Sequence, residues 1–395
     1  MAPRRPDKKK SKHRQPAGAV SPQALVRAAE AQLQEGNVGE AAALAEKALA
    51  GSAAGSDGEL AARGLLGQIG LEAGNFAAAR AHFLRAAALD PDGSRDEASG
   101  GGPDTFLCLA QLSEEGGRDS VAWFEKGAAA LRKRIRGLEE DKEEARRPGL
   151  LAELRRKLAA TLCSVAEVYM TDLSWEAEAE ARCEALVTEA TLVAPESAES
   201  WQTLANVRIS QARAGDARAA LARSLELWRD LAPADPAVPD YASRVGLGRL
   251  LMEVAMEREA LDVLERLVAE DDESVEVWYL GGWGLYVMGE KKRKDAGAAP
   301  SSPADGGAKG KEAEDRGEDE DEEEDWGALW TSSRVWLNQC LHLYKLQDYE
   351  DDRLGEHAAE LLAEIAKELG EAPAGEDDGE DDWEDEEDND EEMQG

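Results

Sequence analysis

The chain has 395 residues and a formal net charge of −38 at pH 7. Ala, Leu, Glu and Arg are abundant, aromatic residues make up only 5%, and no apolar run reaches the roughly 18 residues of a membrane span. The composition indicates an all-α protein without a secretory signal or membrane helix. The charge disfavours direct binding to nucleic acid, because the phosphates would be repelled, and favours a basic protein or peptide as partner.

The charge is unevenly distributed along the chain. The first fourteen residues carry seven Lys or Arg, residues 312–325 carry eleven acids, and residues 376–392 carry fourteen. We predict disorder for a basic tail at 1–20, an acidic insert at 291–325 and an acidic tail at 371–395, because none of these segments shows apolar periodicity. The basic N-terminus fits a nuclear localisation signal and a simple solvated tail equally well.

The first two folded segments share a helix–turn–helix pattern. In 22–50, Gly36 and Asn37 mark the turn, and in 60–91 small residues at Gly67 and Ala79 allow two helices to approach while Phe83 fills the space between them. This spacing is typical of the tetratricopeptide repeat, which has a period of about 34 residues.

The pattern recurs with irregular spacing along the rest of the chain. In the fifth copy we expect the turn at Gly215 and Asp216, and we expect the charged extension 132–149 of the third copy to project into solvent. The later copies are centred on 107–127, 150–195, 198–232 and 241–271, with a seventh that begins at Trp278 and resumes at Trp330, and a closing helix over 352–369. The sequence therefore predicts a tetratricopeptide-repeat superhelical solenoid over 21–370, with about seven repeats plus a C-terminal capping helix.

No motif of catalytic or cofactor chemistry stands out. GxxxxGK[ST], HExxH and GxSxG are absent, the four cysteines show no CxxC spacing, and the four histidines are scattered. We expect no enzyme activity, no metal and no cofactor, and a binding role for the repeats.

The positions that face inward on the first helix of a repeat are candidates for binding a ligand. They predict a groove that is aromatic and acidic in the C-terminal half, suited to Arg and Lys side chains, and they lack the basic set that clamps a carboxylate. The alternative is that Trp283 and Tyr286 belong to the core and that the single acids are solvated. The candidate client-binding residues are Glu167, Glu199, Gln202, Asn206, Glu253, Glu276, Tyr279, Trp283 and Tyr286.

Two segments make the layout more specific than a generic repeat array. They are VAEVYMTDLSWEAEAE at 165–180 and ESWQTLANVRISQARAGDARAALARSLELW at 199–228. Together with the basic N-terminus, the acidic insert and the acidic tail, they make the chain resemble the fungal dedicated assembly chaperones of ribosomal protein four of the large subunit (uL-four).

The resemblance implies capture of a basic, rRNA-binding ribosomal protein through its long internal loop, escort from the cytoplasm to the nucleus, and release at the pre-ribosome. It implies uL-four and nuclear import factors as partners, and the capped end of the array favours a monomer. The alternative is a general tetratricopeptide scaffold or adaptor in a multiprotein complex. For the acidic tail, mimicry of rRNA phosphate and simple solubilisation both remain open.

Overall fold

The structure is a computed structural model that describes residues 20–140, 148–298 and 325–370. Within these ranges it contains fifteen α-helices, one 3-10 turn at Glu97–Ser99 and no strand. None of the described helices combines the length and the apolar content needed to cross a bilayer. The helices are α1 (Pro22–Gln34), α2 (Val38–Gly51), α3 (Asp57–Glu72), α4 (Phe76–Leu89), α5 (Pro103–Gln111), α6 (Gly117–Glu140), α7 (Pro148–Met170), α8 (Ala179–Val193), α9 (Ala198–Ser210), α10 (Ala214–Glu226), α11 (Tyr241–Glu253), α12 (Glu257–Glu270), α13 (Val275–Ala298), α14 (Trp326–Leu346) and α15 (Asp352–Leu369).

The helices pair in sequence order into seven hairpins, from α1–α2 to α13–α14, and α15 follows as a single closing helix. The predicted all-α, tetratricopeptide-type fold with seven repeats and a closing helix is confirmed. The chain divides into two compact units, an N-terminal unit (Met1–Pro239, with α1 to α10) and a C-terminal unit (Asp240–Gly395, with α11 to α15). The sequence had indicated a single array over 21–370.

The second hairpin shows why small residues recur at fixed positions. A Cβ atom added to Gly67 on α3 would lie 2.5 Å from the ring of Phe83 on α4, and one added to Gly70 would lie 3.0 Å from the Cβ atom of Ala79. A Cβ atom essentially never lies as close as 2.5 Å to another heavy atom and rarely as close as 3.0 Å, so glycine at Gly67 lets the two helices pack at this distance. The predicted roles of Gly67, Ala79 and Phe83 are confirmed.

The turns of several hairpins contain a residue with left-handed backbone. Gly36 and Gly74 supply it in the first two repeats, with φ values of 79° and 68°, where glycine carries no steric penalty. Ala212 takes the same conformation in the fifth repeat, with φ of 57°. The turn therefore lies at Ala212, and the predicted turn residue Gly215 lies in the first turn of α10.

The expectation that 132–149 projects into solvent is wrong for its described part. Helix α6 continues to Glu140, and its residues Ile135 and Leu138, each 7% exposed, belong to one apolar cluster with Leu154 and Leu158 of α7. These apolar residues recur three and four positions apart and form a stripe between the charges. Residues 141–147 lie outside the described part of the chain.

Aromatic side chains fill the α13–α14 hairpin of the C-terminal unit. The indole Nε1 of Trp330 donates to the carbonyl oxygen of Tyr286 at 3.0 Å, and the two rings stack with centroids 5.0 Å apart. Gly289 and Gly281 leave room for Trp330 and Trp336, since an added Cβ atom at either glycine would overlap the indole. Large aromatic residues thus fill this hairpin, whereas small residues bring the helices of the second hairpin together.

Helix α13 continues to Ala298, eight residues into the range predicted as a disordered insert. Two ion pairs hold its last turns, one between Lys291 and Glu257 (2.7 Å) and one between Arg293 and Glu368 (3.1 Å). The rest of the predicted insert up to residue 324, the basic tail up to residue 19 and the acidic tail 371–395 lie outside the described residues.

Candidate functional site

A cleft of about 480 Å³ opens on the C-terminal unit. It is formed by the end of α11, the first half of α13 and the start of α15. Four of the nine predicted client-binding residues line this cleft, together with five others. The lining residues are Arg249, Glu253, Glu276, Tyr279, Leu280, Trp283, Asp351, Arg353 and Leu354.

The aromatic wall of the cleft comes from α13. Tyr279 and Trp283 are four residues apart, so they lie on the same side of the helix, and their rings stack with centroids 6.1 Å apart. His357 of α15 packs edge-on against Trp283, at 6.0 Å between ring centroids, and its Nδ1 lies 2.8 Å from the Tyr279 hydroxyl. Burial raises the pKa of the Tyr279 hydroxyl. Both rings of α13 are half-buried, so part of each aromatic surface remains open.

Two of the three carboxylates in the cleft already have partners. The Arg249 guanidinium donates to both carboxylate oxygens of Glu276, with 2.5 Å between Nη2 and Oε2. Asp351 precedes α15, and its Oδ1 accepts hydrogen bonds from the backbone N–H groups of Arg353 (3.1 Å) and Leu354 (3.3 Å). Asp351 is therefore the N-cap of α15, and Glu276 is neutralised by its neighbour.

Glu253 and Arg353 are exposed charged residues of the cleft whose side chains have no partner among the described residues. Within the described ranges, neither the Glu253 carboxylate nor the Arg353 guanidinium forms an ion pair or a side-chain hydrogen bond. The cleft therefore combines aromatic surface with one available charge of each sign. The sequence predicts an aromatic and acidic groove, and the cleft has three carboxylates beside its aromatic surface, together with the positive charges of Arg249 and Arg353.

Two of the predicted residues, Gln202 and Tyr286, are buried, at 8% and 9% exposure. Gln202 on α9 donates from Nε2 to the Ser224 hydroxyl at 3.4 Å. Tyr286 donates its hydroxyl to Glu364, and burial raises its pKa. Each side chain stabilises the packing inside its own unit, so the core alternative describes the position of Tyr286.

The remaining predicted residues lie on the N-terminal unit. Glu167 on α7 and Glu199 on α9 are exposed, and Asn206 is half-buried. Neither glutamate forms an ion pair with a described Lys or Arg. Although the Glu167 side chain reaches solvent, the surrounding protein removes part of its hydration and raises the pKa of the carboxyl. The role of all nine residues in binding a client stays a prediction.

The sequence did not indicate a second cleft, of about 580 Å³, on the N-terminal unit. It lies beside the C-terminal turns of α6 and the N-terminal turns of α7, with Ile135 and Leu158 on its apolar side. Arg132 closes part of its rim through two hydrogen bonds to Glu189, at 2.7 and 2.8 Å. The apolar stripe of α6 is the sequence signal that could have indicated this cleft.

Two observations bear on metal binding and on thiol reactivity in the described residues. No group of three or more His, Cys, Asp or Glu in them is arranged to hold a metal ion. Burial raises the pKa of the thiols of Cys108 and Cys163 to about 11 and that of Cys340 to about 12, so these thiols are protonated at neutral pH and weakly nucleophilic.

Comparison with known proteins gives close relatives, although no family model matches the chain. It is 46% identical to a probable assembly chaperone of rpl4 from Emericella nidulans, over 92% of this chain and 89% of the relative. It is 31% identical to a protein of the same description from Schizosaccharomyces pombe, over 75% of this chain and 78% of the relative. A solved structure of residues 1–338 of an assembly chaperone of RpL4 (Acl4) is 54% identical and superposes with a TM-score of 0.66, covering 70% of this chain and all of that one.

Proposed function

The chain belongs to the family of assembly chaperones of rpl4, and from this membership we propose that it is a dedicated chaperone of the ribosomal protein uL-four of the large subunit. The observation that carries the proposal is the match over 92% of this chain to a relative with that description. The match also extends over 89% of the relative.

We propose that the protein acts by binding and has no catalytic role. Its relatives are described as chaperones. The raised thiol pKa values and the separate hydrogen-bond partners of Glu276 and Asp351 fit a surface that holds a ligand without changing it.

The C-terminal cleft is the proposed contact for a basic segment of the client. The open surfaces of Tyr279 and Trp283 can stack with an Arg guanidinium, a contact worth roughly 0.5–2 kcal/mol. The available carboxylate of Glu253, on the neighbouring helix α11, can pair with the same cation. On the N-terminal unit, the exposed carboxylates of Glu167 and Glu199 are proposed to contact further basic residues of the client.

The location of the protein follows from the proposed task. A ribosomal protein is made in the cytoplasm and assembled in the nucleus, so a chaperone that escorts it must work in both compartments. We propose that the protein travels as a monomer with its client, together with nuclear import factors. The basic N-terminal segment, with Lys8, Lys9, Lys10 and Lys12, is the proposed point of contact with those factors.

The test is co-purification of the full chain with uL-four at low and at moderate salt. We expect a complex of near-equal stoichiometry at low salt that weakens at moderate salt, because charge attraction contributes to it. Capture of many unrelated proteins with no enrichment of uL-four would overturn the proposal and leave the scaffold alternative.

Trp283→Ala tests the cleft separately. We expect the affinity for uL-four to fall about tenfold, the equivalent of one good cation–π contact. Trp175→Ala is the matched control, because Trp175 is 75% exposed on the loop between α7 and α8 and lies outside the cleft. Equal affinities for the two variants, with circular dichroism unchanged, would remove the cleft from the binding surface.

A further inference from the structure

The balance of charge in the C-terminal cleft points to a ligand that is more specific than a basic segment. Of its three carboxylates, Glu276 is paired with Arg249 and Asp351 caps α15. Glu253 is the carboxylate without a partner among the described residues, and Asp351 keeps its charge while it caps the helix. A uniformly basic segment would therefore compete with Arg249 and with the end of α15 for two of the three carboxylates.

Arg353 makes the cleft unfavourable for a second cation. Its side chain is exposed on the rim, and its guanidinium is not paired with any residue of the described ranges. A Lys or Arg of the ligand placed beside it meets a like charge, and a carboxylate placed there gains two parallel hydrogen bonds from the guanidinium fork. The same residue thus attracts one ligand and repels another, which is how specificity arises.

We propose that Arg353 determines specificity, so that the C-terminal cleft binds a mixed-charge segment. A cationic side chain of that segment lies against Trp283 and Glu253, and an acidic side chain nearby pairs with Arg353. Uniformly basic segments of other proteins are rejected. This inference rests on the proposed function, since it names the kind of client segment that the cleft accepts.

The position of Arg353 makes it suitable for substitution. It lies in the first turn of α15, two residues after the capping residue Asp351. A glutamate at this position interacts favourably with the positive end of the helix, so Arg353→Glu keeps the helix while it reverses the charge on the rim. Arg258→Glu is the matched control, because Arg258 is exposed on α12 of the same unit and does not line the cleft.

The experiment compares two probes against each full-length variant by fluorescence anisotropy. One probe is purified uL-four carrying a fluorescent label, and the other is a labelled ten-residue oligolysine. In Arg353→Glu we expect oligolysine to bind about tenfold more tightly and uL-four to bind several-fold more weakly, so the preference for the client falls at least tenfold. In Arg258→Glu, which changes the net charge by the same amount, we expect the preference to stay within about twofold of the parent.

Two negative results have different meanings. If the parent protein does not bind uL-four, the proposed function fails. If the parent binds uL-four and Arg353→Glu retains the same preference as Arg258→Glu, the function stands and the specificity role of Arg353 is overturned. Arg353→Gln provides a second check, because removal of the charge without reversal should give an intermediate preference.

Discussion

The first repeats of the N-terminal unit and the last helices of the C-terminal unit are packed with different side chains. In the former, α1 to α3 meet through alanines with no exposed surface, among them Ala29, Ala41 and Ala45. In the latter, α13, α14 and α15 meet through large aromatic residues such as Tyr286 and Trp330. Both solutions bury apolar surface between helices of the same hairpin pattern.

The difference explains where the candidate site arises. Alanine brings no polar side-chain atom into an interface, so it leaves no hydrogen-bond donor or acceptor in need of a partner. Tyrosine and tryptophan bring a hydroxyl or an indole N–H that needs a partner, and α15 supplies two of these partners, His357 for Tyr279 and Glu364 for Tyr286. At the end of this interface that reaches solvent, the half-buried rings of Tyr279 and Trp283 become the wall of a cleft. Aromatic packing therefore contributes to the stability of the C-terminal unit and forms its candidate ligand surface.

Gly281→Ala should disturb the aromatic interface most. The added Cβ atom would overlap the indole of Trp336, so we expect the free energy of unfolding to fall by about 1–3 kcal/mol. Urea denaturation followed by tryptophan fluorescence measures the change. Gly246→Ala on α11 is the control, because nothing lies within 4 Å of its added Cβ atom, and a helical alanine there should gain up to about 1 kcal/mol. Equal effects would mean that the interface adapts and that close packing does not define it.

Two glutamates, one from each unit, should respond oppositely to pH. The buried Arg244 donates to both oxygens of Glu270 at 2.6 and 2.7 Å and holds the pKa of that carboxyl below its ordinary value of 4.5. Its stabilising effect is therefore present above pH 4.5 and is lost as the pH falls through the lowered pKa. Desolvation raises the pKa of Glu167, so its ionised form is penalised at neutral pH and this penalty disappears in acid.

We therefore expect Glu270→Gln to lose about 1–2 kcal/mol of stability at pH 7 and to approach the parent as the pH falls through the lowered pKa. We expect Glu167→Gln to gain a few tenths of a kcal/mol at pH 7 and to approach the parent below the raised pKa. Urea unfolding at several pH values measures both. The same sign for the two variants at pH 7 would contradict the assignment of opposite shifts.

The smallest effect is expected at two turns, one in each unit, that have the same backbone conformation. Ala212 and Ala255 have left-handed backbone, with φ of 57° and 60°, which costs an L-residue roughly 1–2 kcal/mol. Substitution of either by Gly should raise the free energy of unfolding by about 0.5–1 kcal/mol, after the greater chain entropy of glycine is subtracted. Thermal denaturation is sufficient to detect it. Ala219→Gly, in the middle of α10, is the control and should lose about 1 kcal/mol.

The repeats could be predicted from the sequence because their information is local. Gly67, Ala79 and Phe83 lie within one hairpin, so a fixed spacing reports a fixed contact. Residues that are close in space but distant in the sequence show no such fixed spacing. Arg353 lies far along the chain from Trp283 and beyond the insert, so only the docking of α15 brings them to one cleft.

Whether a side chain is buried was also harder to predict than the side of the helix on which it lies. Gln202 and Tyr286 occupy inward-facing positions of the repeat pattern, but Ser224 and Trp330 cover them, and a pattern position does not specify which partner lies above it. The prediction for the extension of α6 is wrong for a related reason. Its charges outnumber its apolar residues, although Leu131, Ile135 and Leu138 alone are enough to pack against α7.

The tryptophans differ so strongly in exposure that the protein carries its own optical reporters. Trp330 is 1% exposed and Trp175 is 75% exposed, whereas Trp283 lies half-buried in the cleft. Indole emission moves to longer wavelength in water and is quenched by contact with ions and polar groups. Among the tryptophans of the described residues, Trp175 should therefore dominate the red edge of the spectrum and respond first to iodide, and Trp330 should emit at the blue edge until the C-terminal unit unfolds. A ligand that enters the cleft should change the component between them, so its arrival could be observed without any label.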